Sequence, residues 1–218
     1  MANYNTISEL FTAIADIIRA KKNTTDKIAA TDFPEYIDEI AKYRNLLDII
    51  DGNISELPIE YLKELTCIRP YAFANCKKLI EITIPANITT IGESAFTNSG
   101  IINLIILGKT KVEQYGCMNM PELTNLTINN SDIGNNSSAF ASCPKLTTIT
   151  IKTTIAPNIR NFAFRRCTSL KDIYYDGTVS TWQSGSFGTE WDENTGNYTI
   201  HCADGDITKD GTITYHNT

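Results

Sequence analysis

One recurring pattern constrains what this chain can fold into. Phe73, Cys76, Leu79, Ile82 and Ile84 recur as Phe140, Cys143, Leu146, Ile149 and Ile151, and again as Phe164, Cys167, Leu170, Ile173 and Tyr175. The shared pattern is Phe-x-x-Cys-x-x-Leu-x-x-Ile-x-Ile. Two looser copies lie between. One is Phe96, Ile101, Leu104 and Ile106, one residue short around Ser99 and Gly100; the other is Cys117, Met120, Leu123, Leu126 and Ile128. The leucine positions 79, 101, 123, 146 and 170 are separated by 22, 22, 23 and 24 residues. The closing Leu-x-x-Ile-x-Ile alternates, as a short strand with one buried face does. A single strand of this kind cannot bury its apolar face alone, so successive coils must stack into a parallel sheet over a continuous core. The Phe and Cys residues enter that core from the opposite, irregular side of each coil. An alanine precedes each phenylalanine (Ala72, Ala95, Ala139, Ala163), a small-beside-large pairing suited to tight packing. Pro85, Gly92, Gly108 and Pro157 punctuate the segments.

The stretch from Ile68 through Tyr71, Phe73, Cys76 and Leu79 to Pro85 resembles the bacterial surface-antigen (BspA-type) leucine-rich repeat family, as does Ile91 to Phe96. The resemblance covers roughly residues 54 to 175. It implies an α/β leucine-rich-repeat solenoid of about five repeats with its parallel β-sheet on one face. It also implies a binding function, since the family has no common enzymatic activity and occurs on bacterial surfaces, in protists and in phage-encoded proteins.

The two ends have a different texture, which divides the chain into residues 1–45, 46–176 and 177–218. At the N-terminus, Thr6 and Glu9 have capping-box spacing. Ile7, Leu10, Phe11, Ile14, Ile17 and Ile18 then follow helical spacing. A second helix is expected from Asp32 to about Arg44, with Pro34 in its first turn. The stretch Leu10 to Lys21, followed by Thr24 to Ile28 and Phe33-Pro34, resembles a segment of phage and prophage tail proteins of Gram-positive hosts. That resemblance implies attachment to a virion; the alternative is that these helices only shield the first coil. At the other end, glycines mark successive turns, Tyr198–Cys202 and Thr212–Tyr215 read as strands of a β cap, and Trp182, Phe187, Trp191 and Tyr198 form an aromatic group. Those rings either cover the last coil or offer a platform to sugars, and the family's similar closing stretch, Ile173 to Trp182, favours the cover.

Little in the sequence points to catalysis. The histidines number two, His201 and His216, the latter expected to be mobile near the C-terminus. His201 adjoins Cys202 in an expected strand, where neighbours point to opposite faces and cannot act as a nucleophile–base pair. Asp204, Asp206 and Asp210 faintly suggest a calcium loop, but Lys209 and Tyr215 stand where an EF-hand needs Gly and Glu. They read as solvated turn carboxylates. No enzyme activity, cofactor or metal is expected. The six cysteines contain no Cys-x-x-Cys pair and fall mostly at repeat positions, as buried free thiols would. A net charge of −6 with no basic run argues against nucleic acid. No apolar stretch suits membrane insertion, and no secretory signal is visible near Met1. The expectation is synthesis in the bacterial cytoplasm and final residence in a virion.

Binding would fall on the strand positions that face away from the core. One expected row is Glu81, Asn103, Asn125, Thr148 and Asp172; the next is Thr83, Ile105, Thr127, Thr150 and Tyr174. With strands about 4.8 Å apart, each row spans roughly 20 Å. Such rows could equally be a packed and solvated surface, because threonine favours strands without any ligand. As a recognition face their neutral and acidic character suits a host-surface carbohydrate or protein. Residues 1–45 would contact other virion proteins in a homo-oligomer, with a trimer the expected form. Two alternatives stay open: a virion decoration protein without host binding, and an intracellular binder that inhibits a host protein.

Overall fold

The computed structural model describes residues 59, 62–63, 65–134 and 137–217, all within the second of two compact units, Arg44–Thr218. The helices expected over residues 1–45 lie outside the described residues. Among the described residues six coils follow one another, each a two-residue strand, a turn and a longer strand. They are β1 (Cys67–Ile68) and β2 (Glu81–Ile84); β3 (Thr90–Ile91) and β4 (Asn103–Ile106); β5 (Lys111–Val112) and β6 (Asn125–Ile128). Then come β7 (Asp132–Ile133) and β8 (Thr148–Ile151); β9 (Asn158–Ile159) and β10 (Asp172–Tyr175); and β11 (Ser186–Phe187) and β12 (Thr199–His201). A short helix, α1 (Val179–Gln183), lies between β10 and β11, and β13 (Gly205–Thr208) and β14 (Ile213–Tyr215) follow the last coil.

The longer strands stack in parallel in the order β2-β4-β6-β8-β10-β12, and β13 and β14 extend that sheet antiparallel to eight strands. The short strands form two small parallel sheets, β1-β3-β5 and β7-β9-β11. The expected solenoid is what the chain builds, with one rung more than the five legible repeats. The sixth, β12, pairs in parallel with β10 through Ile173 and Ile200.

Register produces the core. Ile82, Leu104, Leu126, Ile149, Ile173 and Ile200 lie directly beside one another, as do Ile84, Ile106, Ile128, Ile151 and Tyr175. All are buried, together with the column Leu79, Ile101, Leu123, Leu146 and Leu170. On the turn side Phe73 stacks on Phe96 with ring centroids 5.3 Å apart, and Phe140 on Phe164 at 5.6 Å. Cys117 stands in the aromatic position between those two pairs and is fully buried. Ala95, Ala139 and Ala163 are wholly enclosed. Ala72, in the first coil, is exposed.

Each turn carries two non-glycine residues in the left-handed region, four positions apart: Tyr71 and Asn75, Ser94 and Asn98, Tyr115 and Asn119, Ser138 and Ser142, Phe162 and Arg166, Glu190 and Asn194. Such a residue costs about 1 kcal/mol. The repetition has a cause. The turn sends alternate N–H groups toward the next coil, so that Phe73 N donates to Ala95 O (2.8 Å), Phe140 N to Ala163 O (2.9 Å) and Phe164 N to Trp191 O (2.8 Å). Each such bond contributes about 1 kcal/mol, which offsets the strain. Where the second repeat is one residue short, the backbone comes so close to its neighbour that a Cβ on Gly100 would lie 1.9 Å from the Lys77 carbonyl oxygen.

The C-terminal aromatic group is chiefly a cover. Trp182 and Tyr198 are buried. Trp191 meets Phe164 edge-on at 6.4 Å, and Phe187 lies between Trp182 and Trp191. Burial pushes the Tyr198 hydroxyl to a raised pKa, reinforced by its 2.6 Å hydrogen bond to Asp192. Cys76, Cys117, Cys143, Cys167 and Cys202 are buried free thiols, whereas Cys67 is exposed.

Candidate binding face

Because the coils are stacked in register, every outward position of one long strand lies beside its counterpart on the next. Glu81, Asn103, Asn125, Thr148 and Asp172 occupy one row, and Thr83, Ile105, Thr127, Thr150 and Tyr174 the other. The structure thus brings together all ten outward residues singled out in the sequence. It also lengthens both rows. Thr199 and Thr208 continue the first, and His201 and Asp206 the second, through β12 and the antiparallel β13.

The face changes character along its length. At the β2 end the polar side chains satisfy one another. Asn103 Nδ2 donates to Glu81 Oε1 (2.7 Å), and Asn125 Nδ2 donates to Asn103 Oδ1 (2.8 Å) and to the Thr124 hydroxyl (2.9 Å). This amide ladder runs across three strands and lines a shallow groove with Thr83, Ile105 and Thr127.

The β12 end holds a charge cluster that sequence reasoning missed. His201 Nδ1 lies 2.9 Å from Asp206 Oδ1 and its Nε2 lies 3.0 Å from Asp172 Oδ1. An ionised carboxylate only accepts, so the arrangement favours the protonated imidazole, which can donate from both nitrogens. Desolvation alone would lower the His201 pKa; the hydrogen bonds and charges of Asp172 and Asp206 outweigh it and raise the value. Desolvation likewise works against Asp206, but its bonds to His201 and His216 hold its pKa below the usual carboxylate range. The Tyr174 ring stacks on His201 with centroids 4.8 Å apart and planes 22° apart. Beside them a depression is lined by Thr150, Lys152, Tyr174, Asp176, His201 and Ala203.

The aspartates after β12 are therefore more than solvated turn residues. Asp206, on β13, pairs with His201 on β12 and with His216 just after β14. Asp204 Oδ1 accepts from Val179 N (2.7 Å) at the start of α1, and Asp210 Oδ1 accepts from Thr212 N (3.0 Å) within the hairpin turn. His216, expected to be mobile, is held by its backbone N–H to Asp204 O (3.0 Å) and by Nε2, 3.4 Å from Asp206 Oδ2. Cys202 faces the core and His201 the outer surface, as adjacent strand residues must. Burial, then the charges of Asp204 and Asp206, push the Cys202 thiol up to about 11. Among the described residues no three His, Cys, Asp or Glu side chains converge as metal ligands, and no helix is long and apolar enough to cross a membrane. The one advance signal for His201 was the hairpin turn at Asp204-Gly205, which folds Asp206 back beside it.

A family model described as the BspA type leucine rich repeat region matches this chain in six copies, over residues 51–171 and 109–199. No curated protein matches it, and no solved structure does.

Proposed function

We propose that this chain, which belongs to the BspA type leucine-rich repeat family, is a recognition component of a phage or prophage tail that binds a host-surface carbohydrate or protein through the outer face of its eight-stranded sheet. Leucine-rich repeats are binding and protein-interaction scaffolds, and a solenoid of this kind is typically non-catalytic. The observation that carries the reading is the register. Inward positions are consumed by the core, while ten outward positions form two continuous rows on one surface. Residues 1–45 serve as the attachment to other virion proteins, in an oligomer for which a trimer is expected.

The test has two arms. Purified full chain is applied to intact cells of the bacterial host, and purified particles are digested and searched for its peptides. Saturable cell binding together with presence in particles supports the proposal. Presence in particles without cell binding overturns host recognition and leaves a decoration protein. Absence from particles together with capture of a cytosolic host protein by a monomeric chain overturns the virion reading.

A further inference from the structure

The two ends of the outer face differ in what they leave available. At the β2 end the amides of Asn103 and Asn125 already have partners on the face itself. At the β12 end Tyr174 stays 45 % exposed although it has the largest side chain in its row. Its neighbours along the row are Thr150 and His201. His201 stacks on one face of the ring. Thr150, on the other side, is too short to cover the second face. The ring also rests on a held neighbour. His201 is clamped at both nitrogens, by Asp172 on β10 and by Asp206 on β13, so the surface against which Tyr174 rests cannot rotate. Pre-organised aromatic area of this kind loses little entropy when a ligand settles on it.

Polar groups surround the ring. Lys152 Nζ lies 3.6 Å from Asp176 Oδ1, and both line the depression beside Tyr174 with the Thr150 hydroxyl. An ammonium, a carboxylate and a hydroxyl thus flank one exposed ring.

We infer that the depression beside Tyr174 is a saccharide-binding site whose occupant is a neutral pyranose unit of a host-surface glycan. One C–H face of the sugar rests on the ring, and its hydroxyls meet Asp176, Lys152 and Thr150. The inference rests on the reading of the outer face as a recognition surface and names the ligand class. Three features choose a sugar over a protein. First, the electron-rich face of an aromatic ring attracts the weakly positive C–H hydrogens of a pyranose. Second, a protein interface buries about 800 Å² per partner around a cluster of apolar anchors, and here one ring stands among polar side chains. Third, charges of both signs alternate at this end (Asp172, His201, Asp206; Lys152, Asp176). That pattern gives no single-sign field to draw in a charged polymer, and it leaves donors and acceptors for hydroxyls.

The experiment uses the full chain on an array of neutral hexose and N-acetylhexosamine oligosaccharides, with intact host cells in parallel. Binding to at least one array glycan is expected. Tyr174→Ala should weaken it by about tenfold or more, while Tyr174→Phe should stay within about threefold, because the ring face and not the hydroxyl makes the contact. Asp176→Asn should weaken it and Lys111→Ala, an exposed position on the separate sheet of short strands, should not. Thermal melting of each variant confirms that it folds. The site is overturned if Tyr174→Ala binds as the wild type does, or if no glycan binds while cell binding survives periodate and is abolished by protease. That last result would leave host recognition standing with a protein ligand. Failure to bind untreated cells would instead remove the recognition reading itself.

Discussion

Replacing Leu146 by alanine tests the stacked core most sharply. Leu146 is fully buried in the column between Leu123 and Leu170. The substitution removes three carbons, a transfer loss of about 2.4 kcal/mol at roughly 0.8 kcal/mol each. In most cores partial collapse limits the cavity left behind. Here collapse is resisted, because strand ladders on both sides fix the coil spacing: β8 is paired to β6 and to β10 over four residues each. The cavity term therefore stays near its upper range and the total is about 4 kcal/mol. A domain has roughly 5–15 kcal/mol of stability in all, so the loss is a large share. The assay is equilibrium unfolding in urea, followed by tryptophan fluorescence and by far-ultraviolet circular dichroism to check that the two transitions coincide. Lys171→Ala, an exposed position beside the same strands, should change stability by no more than about 0.5 kcal/mol. A loss under about 1 kcal/mol for Leu146→Ala would refute the reasoning, since a rigid stack cannot heal so large a void.

Three further outcomes follow from the same structure. The His201 clamp makes stability depend on pH: its raised pKa adds stability below the ordinary imidazole range, and that stability is lost as pH rises through the folded value, while the lowered Asp206 pKa confines the acid-side loss to below the ordinary carboxylate range. The difference in urea midpoint between wild type and His201→Gln should accordingly shrink from about pH 6 to about pH 9, and a constant difference would contradict the clamp. Of the six cysteines only Cys67 is exposed, and burial raises the thiol pKa of Cys76, Cys117, Cys167 and Cys202; a thiol reagent should label one site on the native protein, at Cys67, and rapid labelling of two or more would contradict the buried columns. Gly100→Ala places a Cβ against the Lys77 backbone and should cost about 3 kcal/mol or more, whereas Gly211→Ala meets nothing and carries only left-handed strain of about 1 kcal/mol; equal melting losses for the two would contradict the close approach.

The core and the outer rows were legible because they depend only on equal offsets. Once Leu79, Ile101, Leu123, Leu146 and Leu170 are aligned, the positions two, four and five residues on fall into register automatically, as the pairing of Glu81 with Asn103 and of Thr150 with Tyr174 shows. The sixth rung was hidden because Asp192, Thr195 and Asn197 stand where Phe, Cys and Leu would announce it. Its strand reveals itself only by pairing with β10. The short strands such as Thr90–Ile91 are two residues long, too brief to have a period. The left-handed turn positions hold Tyr, Asn, Ser, Phe, Arg and Glu, and only the asparagines signal such a conformation. In the candidate site Tyr174 and Asp172 were legible as row members. Their link to His201 was not, because Asp172 and His201 are 29 positions apart in sequence, with a helix and most of a coil between them.

The central claim is that the outer face of the long-strand sheet does the recognition. The most direct measurement compares binding of full-length wild type, Thr150→Arg and Thr90→Arg to intact host cells, with folding checked by thermal melting. Thr150 lies beside Tyr174 on the outer face, and Thr90 lies on the separate sheet of short strands. The account requires Thr150→Arg to abolish binding and Thr90→Arg to leave it intact. Equal binding by both variants, or loss confined to Thr90→Arg, would contradict it.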